Sequence, residues 1–445
     1  MNLFSLLNKR ADATNPIRIG LIGAGKFGSM FLSQARKTPG FHVLGIADLD
    51  PDKVRTSLKD VGWTHEQYAA HSFEDAARNK STFITDDAEA LINADGMDVI
   101  IEATGNPAAG IHHALAAFEQ GCHVIAVNVE ADVLAGPLLA ARAKSAGVVY
   151  SLAYGDQPAL IAEMVDWARA CGLEVVCAGK GTKYLPEYHG STPDTVWDYY
   201  GLTAERAKLA GMNPQMFNSF LDGTKSSIEM AAVANACALI APDDGLLFPA
   251  TGTDELPEHL KPAIDGGILG AKGTVEVISS IHRDGRVVAN DLRWGVYVVF
   301  EAGSAYVERC FADYGLVTDA SGQYSAMYKP FHLIGLELGI SVASAALRNE
   351  PTGVSDGWHG DVVAVAKKNL CTGEMLDGEG GFCVWGKLFP AHRSRQMGGL
   401  PIGLAHHVKM KRDVKQGSAL TWDDVDMDES QQAVAFRREM EAAFS

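Results

Sequence analysis

A short apolar run followed at once by a glycine-rich turn constrains this chain more than any other feature. Residues 17–22 read Ile-Arg-Ile-Gly-Leu-Ile and predict a buried strand, and residues 23–28 carry the pattern G-x-G-x-x-G. A second apolar run, 42–47, leads directly into Asp48, twenty residues after Gly28. This order of strand, glycine turn, helix, strand and acid is typical of a dinucleotide-binding site, although a glycine-rich turn in an ordinary α/β domain would look similar.

Each glycine of the turn has a physical task in a dinucleotide site. Gly23 permits the tight turn, Gly25 lets the backbone approach a pyrophosphate, and Gly28 lets the following helix pack close to the strand. The helix that begins around 29–37 offers free N–H groups and the positive end of its dipole to the phosphates. The cofactor contacts predicted here are Gly23, Gly25, Lys26, Phe27, Gly28 and Asp48.

Strands and helices alternate between residues 16 and 150, which predicts a parallel sheet with right-handed crossovers. Two further apolar runs, 98–103 and 123–128, end in polar residues. Because ligands bind at the carboxyl edge of such a sheet, we expect cofactor contacts there. They are Thr104, Gly105, Asn106, Asn128 and Glu130. We expect the two asparagines to line the nicotinamide pocket.

The predicted fold class is α/β with three domains, since 445 residues suffice for two or three full cores. An N-terminal Rossmann domain with a doubly wound parallel sheet takes residues 16–153. A central α+β domain for substrate binding, catalysis and dimerisation takes 154–350, and a small β-rich domain takes 351–445. We interpret residues 1–15 as a short amphipathic leader.

Charge and cysteine usage restrict the partners and the compartment. The net charge of −17 disfavours nucleic acid or an anionic membrane as the main partner. The seven cysteines are scattered without a C-x-x-C pair, which fits a reducing compartment. No apolar stretch approaches the length of a membrane span. We therefore expect a cytoplasmic protein that acts on a small molecule, and a homodimer.

The C-terminal region contains an internal repeat at an offset of 44 residues, 367–376 against 411–420. Each copy reads as a basic pair, a polar and an apolar residue, a turn with glycine, and then leucine. Thr421 followed by Asp424 predicts a helix N-cap with an acid in the first turn. The pattern resembles the SAF module, a small β-rich fold, and a chance repeat of this length is the alternative.

The best candidate for chemistry is the segment 221–235. Lys225 and Glu229 are four residues apart, so they share one helical face, and the residues after them are almost wholly apolar. A buried Lys and Glu are costly unless they are paired or catalytic. They could form a simple i,i+4 ion pair, or they could polarise a carbonyl and shuttle its proton as hydride arrives. Asp222 completes the predicted catalytic set.

The same segment resembles the homoserine dehydrogenase motif, in which a Gly is followed by Asp, Lys and a final Ala. Gly223 and Ala231 fall on the Gly and the Ala, whereas Lys225 stands in place of the Asp and Glu229 in place of the Lys. The exchange of charges argues against homoserine itself and suits an anionic or polyhydroxylated substrate.

Two further motifs narrow the resemblance: the turn 155–158, Gly-Asp-Gln-Pro, and the run 180–183, Lys-Gly-Thr-Lys. With the SAF-like module, they make residues 16–430 resemble the type II, 1-deoxy-D-xylulose 5-phosphate reductoisomerase-like family. The resemblance implies NADPH-dependent conversion of 1-deoxy-D-xylulose 5-phosphate to 2-C-methyl-D-erythritol 4-phosphate for isoprenoid synthesis. It also implies a divalent Mg or Mn to stabilise the oxyanion. The substrate contacts expected are Lys180, Lys183, Asp156 and Arg309.

Two points stay open within that resemblance. The metal ligands are unknown, and Asp156, Glu229 and Asp222 are the candidates. The Ala-Asn-Lys-Glu motif of the ordinary reductoisomerase is not fully matched, because this sequence has Val129 at the position of the Lys. The cofactor is the second point, because Asp48 alone favours NADH whereas the resemblance implies NADPH.

Two other functions remain possible from the residues. One is a dehydrogenase of another hydroxy-acid or sugar-acid substrate in carbohydrate catabolism. The other is a protein that senses a nucleotide without catalysis, against which a buried Lys/Glu pair argues.

Overall fold

A computed structural model describes residues 2–209 and 211–444, so part of the leader and of the last domain, Met1 and Ser445, lies outside the description. The chain divides into two compact units. Unit 1 comprises 1–160 and 333–356, and unit 2 comprises 161–332 and 357–445.

The strands follow one another along the chain with these bounds. They are β1 (Ile17–Ile22), β2 (Phe41–Ala47), β3 (Phe83–Thr85), β4 (Val99–Glu102), β5 (His123–Ala126), β6 (Tyr150–Leu152), β7 (Glu174–Thr182), β8 (Thr274–Ser279), β9 (Val296–Glu301), β10 (Tyr324–Lys329), β11 (Gly360–Ala366), β12 (Met375–Asp377), β13 (Val384–Pro390), β14 (His406–Met410) and β15 (Val425–Asp426).

The α-helices alternate with these strands in the first part of the chain. They are α1 (Leu3–Asp12), α2 (Lys26–Ala35), α3 (Pro51–Asp60), α4 (Phe73–Asn79), α5 (Ala88–Ile92), α6 (Pro107–Glu119), α7 (Val129–Ala146), α8 (Gln157–Ala170), α9 (Val196–Tyr200), α10 (Ala204–Leu209), α11 (Pro214–Leu221), α12 (Thr224–Cys237), α13 (Leu256–His259), α14 (Ala305–Asp313), α15 (Gly339–Arg348), α16 (Ala391–Met397) and α17 (Gln432–Ala443).

Unit 1 contains a six-stranded parallel sheet in the order β3-β2-β1-β4-β5-β6. Ile19, Leu21 and Ile101 are fully buried, as expected for strands covered by helices on both faces. The prediction of an α/β fold with an N-terminal doubly wound parallel sheet is therefore confirmed.

Unit 1 also takes in two segments that the sequence placed elsewhere. The predicted leader forms α1, whose Leu7 is buried in the core that also includes Leu338 and Val342 near the start of α15. Helix α15, assigned from sequence to the central domain, belongs to unit 1, where Ser341 Oγ accepts from Tyr154 N at 2.8 Å. The boundary predicted at 350 is corrected because the chain returns to unit 1 at residue 333.

Unit 2 is built on a four-stranded mixed sheet in the order β10-β9-β7-β8. Strand β7 is central, pairing parallel with β8 and antiparallel with β9. Helix α12, which the sequence predicted as buried, packs against β7 and β8 and against β11 and β13 from the C-terminal region. This packing explains why nearly every residue of α12 is buried.

The C-terminal repeat forms one paired structure. Leu370 and Val414, which occupy equivalent positions in the two copies, exchange backbone hydrogen bonds of 2.8 and 3.0 Å. Asn369 Oδ1 accepts from Gln416 N at 2.9 Å, and Asp413 Oδ1 accepts from Thr372 N at 2.7 Å, also at equivalent positions. Each copy therefore caps the other.

The region around the repeat is β-rich, and the predicted cap is present. The Thr421 side chain and the Asp424 side chain form a reciprocal capping box. Residues 357–445 nevertheless belong to the same compact unit as 161–332 rather than forming a domain of their own, which corrects the predicted division at 351.

Candidate active site

The glycine-rich loop of unit 1 has the geometry that phosphate binding requires. Gly23 has φ +89°, and a Cβ there would lie 2.6 Å from the Ala103 carbonyl oxygen. Gly25 precedes α2, whose first N–H groups have no partner within the helix. A Cβ on Gly25 would meet nothing within 4 Å, which leaves open space where a pyrophosphate would approach. A Cβ on Gly28 would lie 2.9 Å from the Gly23 carbonyl oxygen, so the loop and α2 are in close contact.

Asp48 is attached to this loop by its side chain. One carboxylate oxygen accepts from Ala24 N at 2.7 Å and the other from Asp50 N at 3.0 Å. Asp50 in turn caps α3, and the exposed Arg55 is paired with Asp52 at 2.9 Å. The segment after β2 thus carries three carboxylates within five residues, those of Asp48, Asp50 and Asp52. Its arginine, Arg55, forms an ion pair with one of them.

The predicted residues at the carboxyl edge of the sheet do come together. Asn106 caps α6 and Asn128 caps α7, and Asn128 Nδ2 donates to the Asn106 carbonyl oxygen at 2.8 Å. The Thr104 hydroxyl, exposed beside Gly105, donates to Glu102 at 2.6 Å. Two capping asparagines therefore fix the loops after β4 and β5 relative to each other. Glu130 is half-buried in the first turn of α7, whereas Lys26 and Phe27 open α2, with Lys26 exposed.

A buried acid in α7 was missed from the sequence. Asp132 is completely buried and interacts with Tyr150 and, at 3.4 Å, with the Ser355 hydroxyl. Burial raises the pKa of Asp132 to about 7. Its position in an apolar helical run was the available signal.

We expect Asp132→Asn to stabilise the protein at alkaline pH. Because the folded-state pKa of Asp132 lies above its value in the unfolded chain, wild-type stability falls as pH rises from about 4 to about 7. A pKa difference of about three between the folded and unfolded states corresponds to roughly 4 kcal/mol of unfolding free energy. The Asn variant does not lose this stability, because its amide does not titrate. Urea unfolding at pH 4, 6 and 8 measures the free energy of unfolding of variant and wild type, and we expect their difference to grow with pH. Parallel stability curves for the two proteins would contradict the assignment.

In unit 2, Glu229 pairs with Lys180, a partner that the sequence did not predict. Lys180 lies on the central strand β7 and Glu229 on α12, and their side chains form an ion pair buried to 8% and 5% exposure. Lys225 lies one turn before Glu229 on α12 and is half-buried. The structure therefore pairs Lys180 with Glu229, one helical turn from Lys225.

Asp222 is a helix cap inside the protein. It is completely buried, one oxygen accepts from Thr224 N at 2.9 Å, and the other lies 2.7 Å from Lys367 Nζ. The carboxylate of Asp222 is thus engaged at the start of α12 and by Lys367, and its predicted catalytic role stays a prediction.

A histidine that the sequence did not single out lies beside the start of α12. His189 Nδ1 donates to the Asp222 carbonyl oxygen at 2.7 Å, so its Nε2 accepts from the Tyr184 hydroxyl at 2.8 Å. Its ring stacks on Trp385, with centroids 3.8 Å apart. Burial lowers the pKa of His189 and raises the pKa of Tyr184, so the two rings are neutral at neutral pH.

Lys183 and Arg293 form a positive region after β7. Lys183 Nζ donates to the Tyr199 carbonyl oxygen at 2.8 Å. Burial, and then the nearby positive charge of Arg293, lower the pKa of Lys183. Both side chains are half-buried, and a bound anion would relieve their mutual repulsion. Arg293 was not found from sequence because it is 110 positions away along the chain.

Two further residues, Arg309 and Asp156, were predicted to contact the substrate. Arg309 is exposed on α14, where its guanidinium lies over the Tyr306 ring at 5.9 Å. Helix α14 follows the end of β9 where Glu301 lies opposite Glu174 in the strand register. Lys180 lies opposite Val296, at the other end of β9, so Arg309 and Lys180 belong to opposite ends of that strand pair. Asp156 belongs to unit 1, where it is 7% exposed and accepts from Gln157 N at 2.9 Å.

Among residues 2–209 and 211–444, no three His, Cys, Asp or Glu side chains are grouped so that they could hold a metal ion. The divalent metal therefore has no support in the described structure. Within the same residues, no helix combines the length and the apolar character needed to cross a bilayer. The predicted homodimer stays a prediction.

Two protein-family models match the chain. Residues 17–127 match the GFO/IDH/MocA model, described as an oxidoreductase family with an NAD-binding Rossmann fold. Residues 155–338 match the model of the oxidoreductase DRL catalytic domain. No curated protein matches the chain significantly.

Solved structures of similar fold have low similarity to the chain. The probable dehydrogenase from Thermotoga maritima is 14% identical with a TM-score of 0.39, over 76% of this chain and 91% of that chain. Scyllo-inositol dehydrogenase from Lactobacillus casei, with bound NAD(H) and scyllo-inositol, is 10% identical with a TM-score of 0.37, over 76% and 92%. Biliverdin reductase from Synechocystis sp. PCC 6803 is 19% identical with a TM-score of 0.27, over 38% and 48%. At these scores they carry no argument about substrate.

The family matches correct the resemblance drawn from the sequence. The matching models are those of GFO/IDH/MocA and DRL oxidoreductases, and not of the homoserine dehydrogenase or 1-deoxy-D-xylulose 5-phosphate reductoisomerase families. Neither model extends into residues 351–445, so the SAF resemblance has no support from them. The prediction of a nicotinamide-dependent enzyme is confirmed. This chain is an NAD(P)-dependent oxidoreductase that is similar to the GFO/IDH/MocA family over residues 17–127 and to the DRL catalytic domain over residues 155–338.

Proposed function

We propose that this oxidoreductase reduces the carbonyl group of a small phosphorylated substrate, with Lys225, Lys180 and Glu229 managing the proton. The observation that carries the proposal is the buried Lys180–Glu229 ion pair between the central strand and α12. Removing two charges from water is expensive, so a pair in this position is readily explained by chemistry, although structural ion pairs also occur.

The roles follow from the exposure of the three side chains. The reduced nicotinamide supplies the hydride when the cofactor is bound. Lys225, the least buried of the three, donates its proton to the carbonyl oxygen as negative charge develops there. Lys180 and Glu229 form a fixed charged pair one turn away, which holds the local field and orients the donor.

The substrate class follows from the positive region after β7. Lys183 and Arg293 are half-buried cations of which one already has a lowered pKa, so they favour an anion with several acceptor oxygens. A phosphate meets that description best, because it can accept from both side chains at once. A sugar-acid carboxylate is the competing anion.

The cofactor that the loop after β2 favours is NADH. Asp48, Asp50 and Asp52 would repel a 2′-phosphate, whereas Asp48 can accept a hydrogen bond from a free ribose hydroxyl. Arg55 is engaged by Asp52, which leaves the exposed Lys53 as the adjacent cation. The preference for NADPH drawn from the family resemblance loses its basis with that resemblance.

The test is a substrate panel assayed by loss of nicotinamide absorbance. Purified protein receives NADH or NADPH with small phosphorylated ketoses and aldehydes, 1-deoxy-D-xylulose 5-phosphate among them, and with their dephosphorylated counterparts. We expect turnover with NADH, and kcat/KM at least about tenfold higher for the phosphorylated compounds, since losing a charged contact costs about 1.5–3 kcal/mol.

The panel also includes sugar acids and hydroxy acids with NAD⁺. Oxidation of these alone would replace the proposal with a sugar-acid dehydrogenase. Cofactor binding without turnover of any compound would favour a nucleotide sensor.

A further inference from the structure

Helix α12 carries Lys225 and Glu229, and its first turn depends on a buried carboxylate. Gly223, at φ +89°, reverses the chain before the helix, and Asp222 then accepts from Thr224 N at 2.9 Å. The first N–H groups of a helix need such partners. Because Asp222 is completely buried, its charge requires a counter-charge close by.

Lys367, which directly follows β11 in the C-terminal region, supplies that charge. Its Nζ lies 2.7 Å from Asp222 Oδ2 and also donates to the Ser191 and Gly381 carbonyl oxygens, each at 2.8 Å. The ammonium group therefore makes two hydrogen bonds to backbone carbonyls and one ion pair, with Asp222. The Lys367 side chain is 2% exposed. It is therefore almost completely shielded from solvent.

Other contacts from the C-terminal region hold both ends of the helix. Gly386 N donates to the Thr224 hydroxyl at 2.8 Å at its beginning. His359 N and Gly360 N each donate to Asn235 Oδ1 at 2.8 Å near its end.

We propose that residues 357–445 act as the positioning element of the candidate active site, with Lys367 as the positioning residue that acts through Asp222 on Lys225 and Glu229. The inference rests on the proposed function for its catalytic consequence. Its structural part, that Lys367 holds the start of α12, is independent of any substrate. A shift of about 1 Å in catalytic groups can cost about a hundredfold in rate, so a remote anchor of this kind is visible in kinetics.

The experiment uses the full chain and three variants. Lys367→Met keeps the length of the side chain and removes its charge, and Lys367→Met with Asp222→Asn removes both charges. Lys368→Met is the matched control, because the neighbouring Lys368 is half exposed and pairs with Glu374 at 2.6 Å. We expect Lys367→Met to lower kcat by about ten- to a hundredfold with KM changed less than about threefold. The double variant should regain part of that loss, and the control should match wild type.

Hydrogen exchange in unliganded protein separates this inference from the proposed function. We expect Lys367→Met to increase exchange of the α12 amides in its first turns and to leave those of α2 unchanged. Unchanged α12 exchange in a folded variant would overturn the inference, whatever the activity. Increased exchange with unchanged kcat would overturn only the catalytic consequence, and with it the assignment of α12 as the catalytic helix. If Lys367→Met does not fold, α12 exchange in the double variant is compared with wild type instead, and unchanged exchange there would overturn the inference.

Discussion

Glu229→Gln is expected to lower kcat by a factor of about 10²–10⁴ while NADH binding stays at its wild-type value. Glutamine keeps the shape of the side chain and removes the charge that holds Lys180. The residues that we expect to bind the cofactor lie in unit 1, which does not include Glu229. Single-turnover assays and an NADH titration of the same preparation measure the two quantities.

Loss of folding would imitate this result, because removing one partner of a buried ion pair can cost about 3–5 kcal/mol. Lys180→Met combined with Glu229→Gln removes both charges, so a folded double variant without turnover separates catalysis from stability. Glu301→Gln is the matched control, since Glu301 is also a buried glutamate paired with a lysine, Lys272, and lies on β9 of the sheet that carries Lys180. A Glu229→Gln enzyme with kcat within about threefold of wild type would remove Glu229 from the site, because general acid–base catalysis contributes about a hundredfold or more.

Unit 1 was predictable from sequence because its signals are local. The glycine turn, the acid after β2 and the capping asparagines Asn106 and Asn128 lie in short segments whose roles follow from spacing. The return of the chain into unit 1 at residue 333 had no such signal, because α15 looks like any apolar helix. Local patterns therefore identified the sheet and not its complete set of covering helices.

The site of unit 2 was only half predictable, because its partners are distant in sequence. Spacing placed Glu229 beside Lys225, whereas its ion-pair partner Lys180 is 49 positions away. The counter-charge of Asp222, Lys367, was not found either, because it lies in a region that the sequence predicted as a separate domain. The sequence can indicate that a buried charged side chain needs an oppositely charged partner. Which residue becomes that partner depends on the fold.

The glycine loop offers a second large effect, in which binding and folding can be separated. Gly25→Ala is expected to weaken NADH binding by about ten- to a hundredfold, since overpacking costs about 1–3 kcal/mol. Its Cβ meets nothing in the unliganded protein and its φ of −66° suits alanine, so the melting temperature without cofactor should change little. Fluorescence titration with NADH and thermal melting of the unliganded protein measure the two effects.

Gly23→Ala should behave differently, because its Cβ would lie 2.6 Å from the Ala103 carbonyl oxygen at a φ of +89°. We expect a lower melting temperature without cofactor in addition to weaker binding. Gly303→Ala is the control, since its Cβ also meets nothing within 4 Å but it lies in unit 2. If Gly25→Ala bound NADH as tightly as Gly303→Ala, the pyrophosphate would not approach this loop, and the assignment of the glycine turn would be wrong. A loss of binding in Gly25→Ala with an unchanged melting temperature would show that the open space at Gly25 belongs to the ligand.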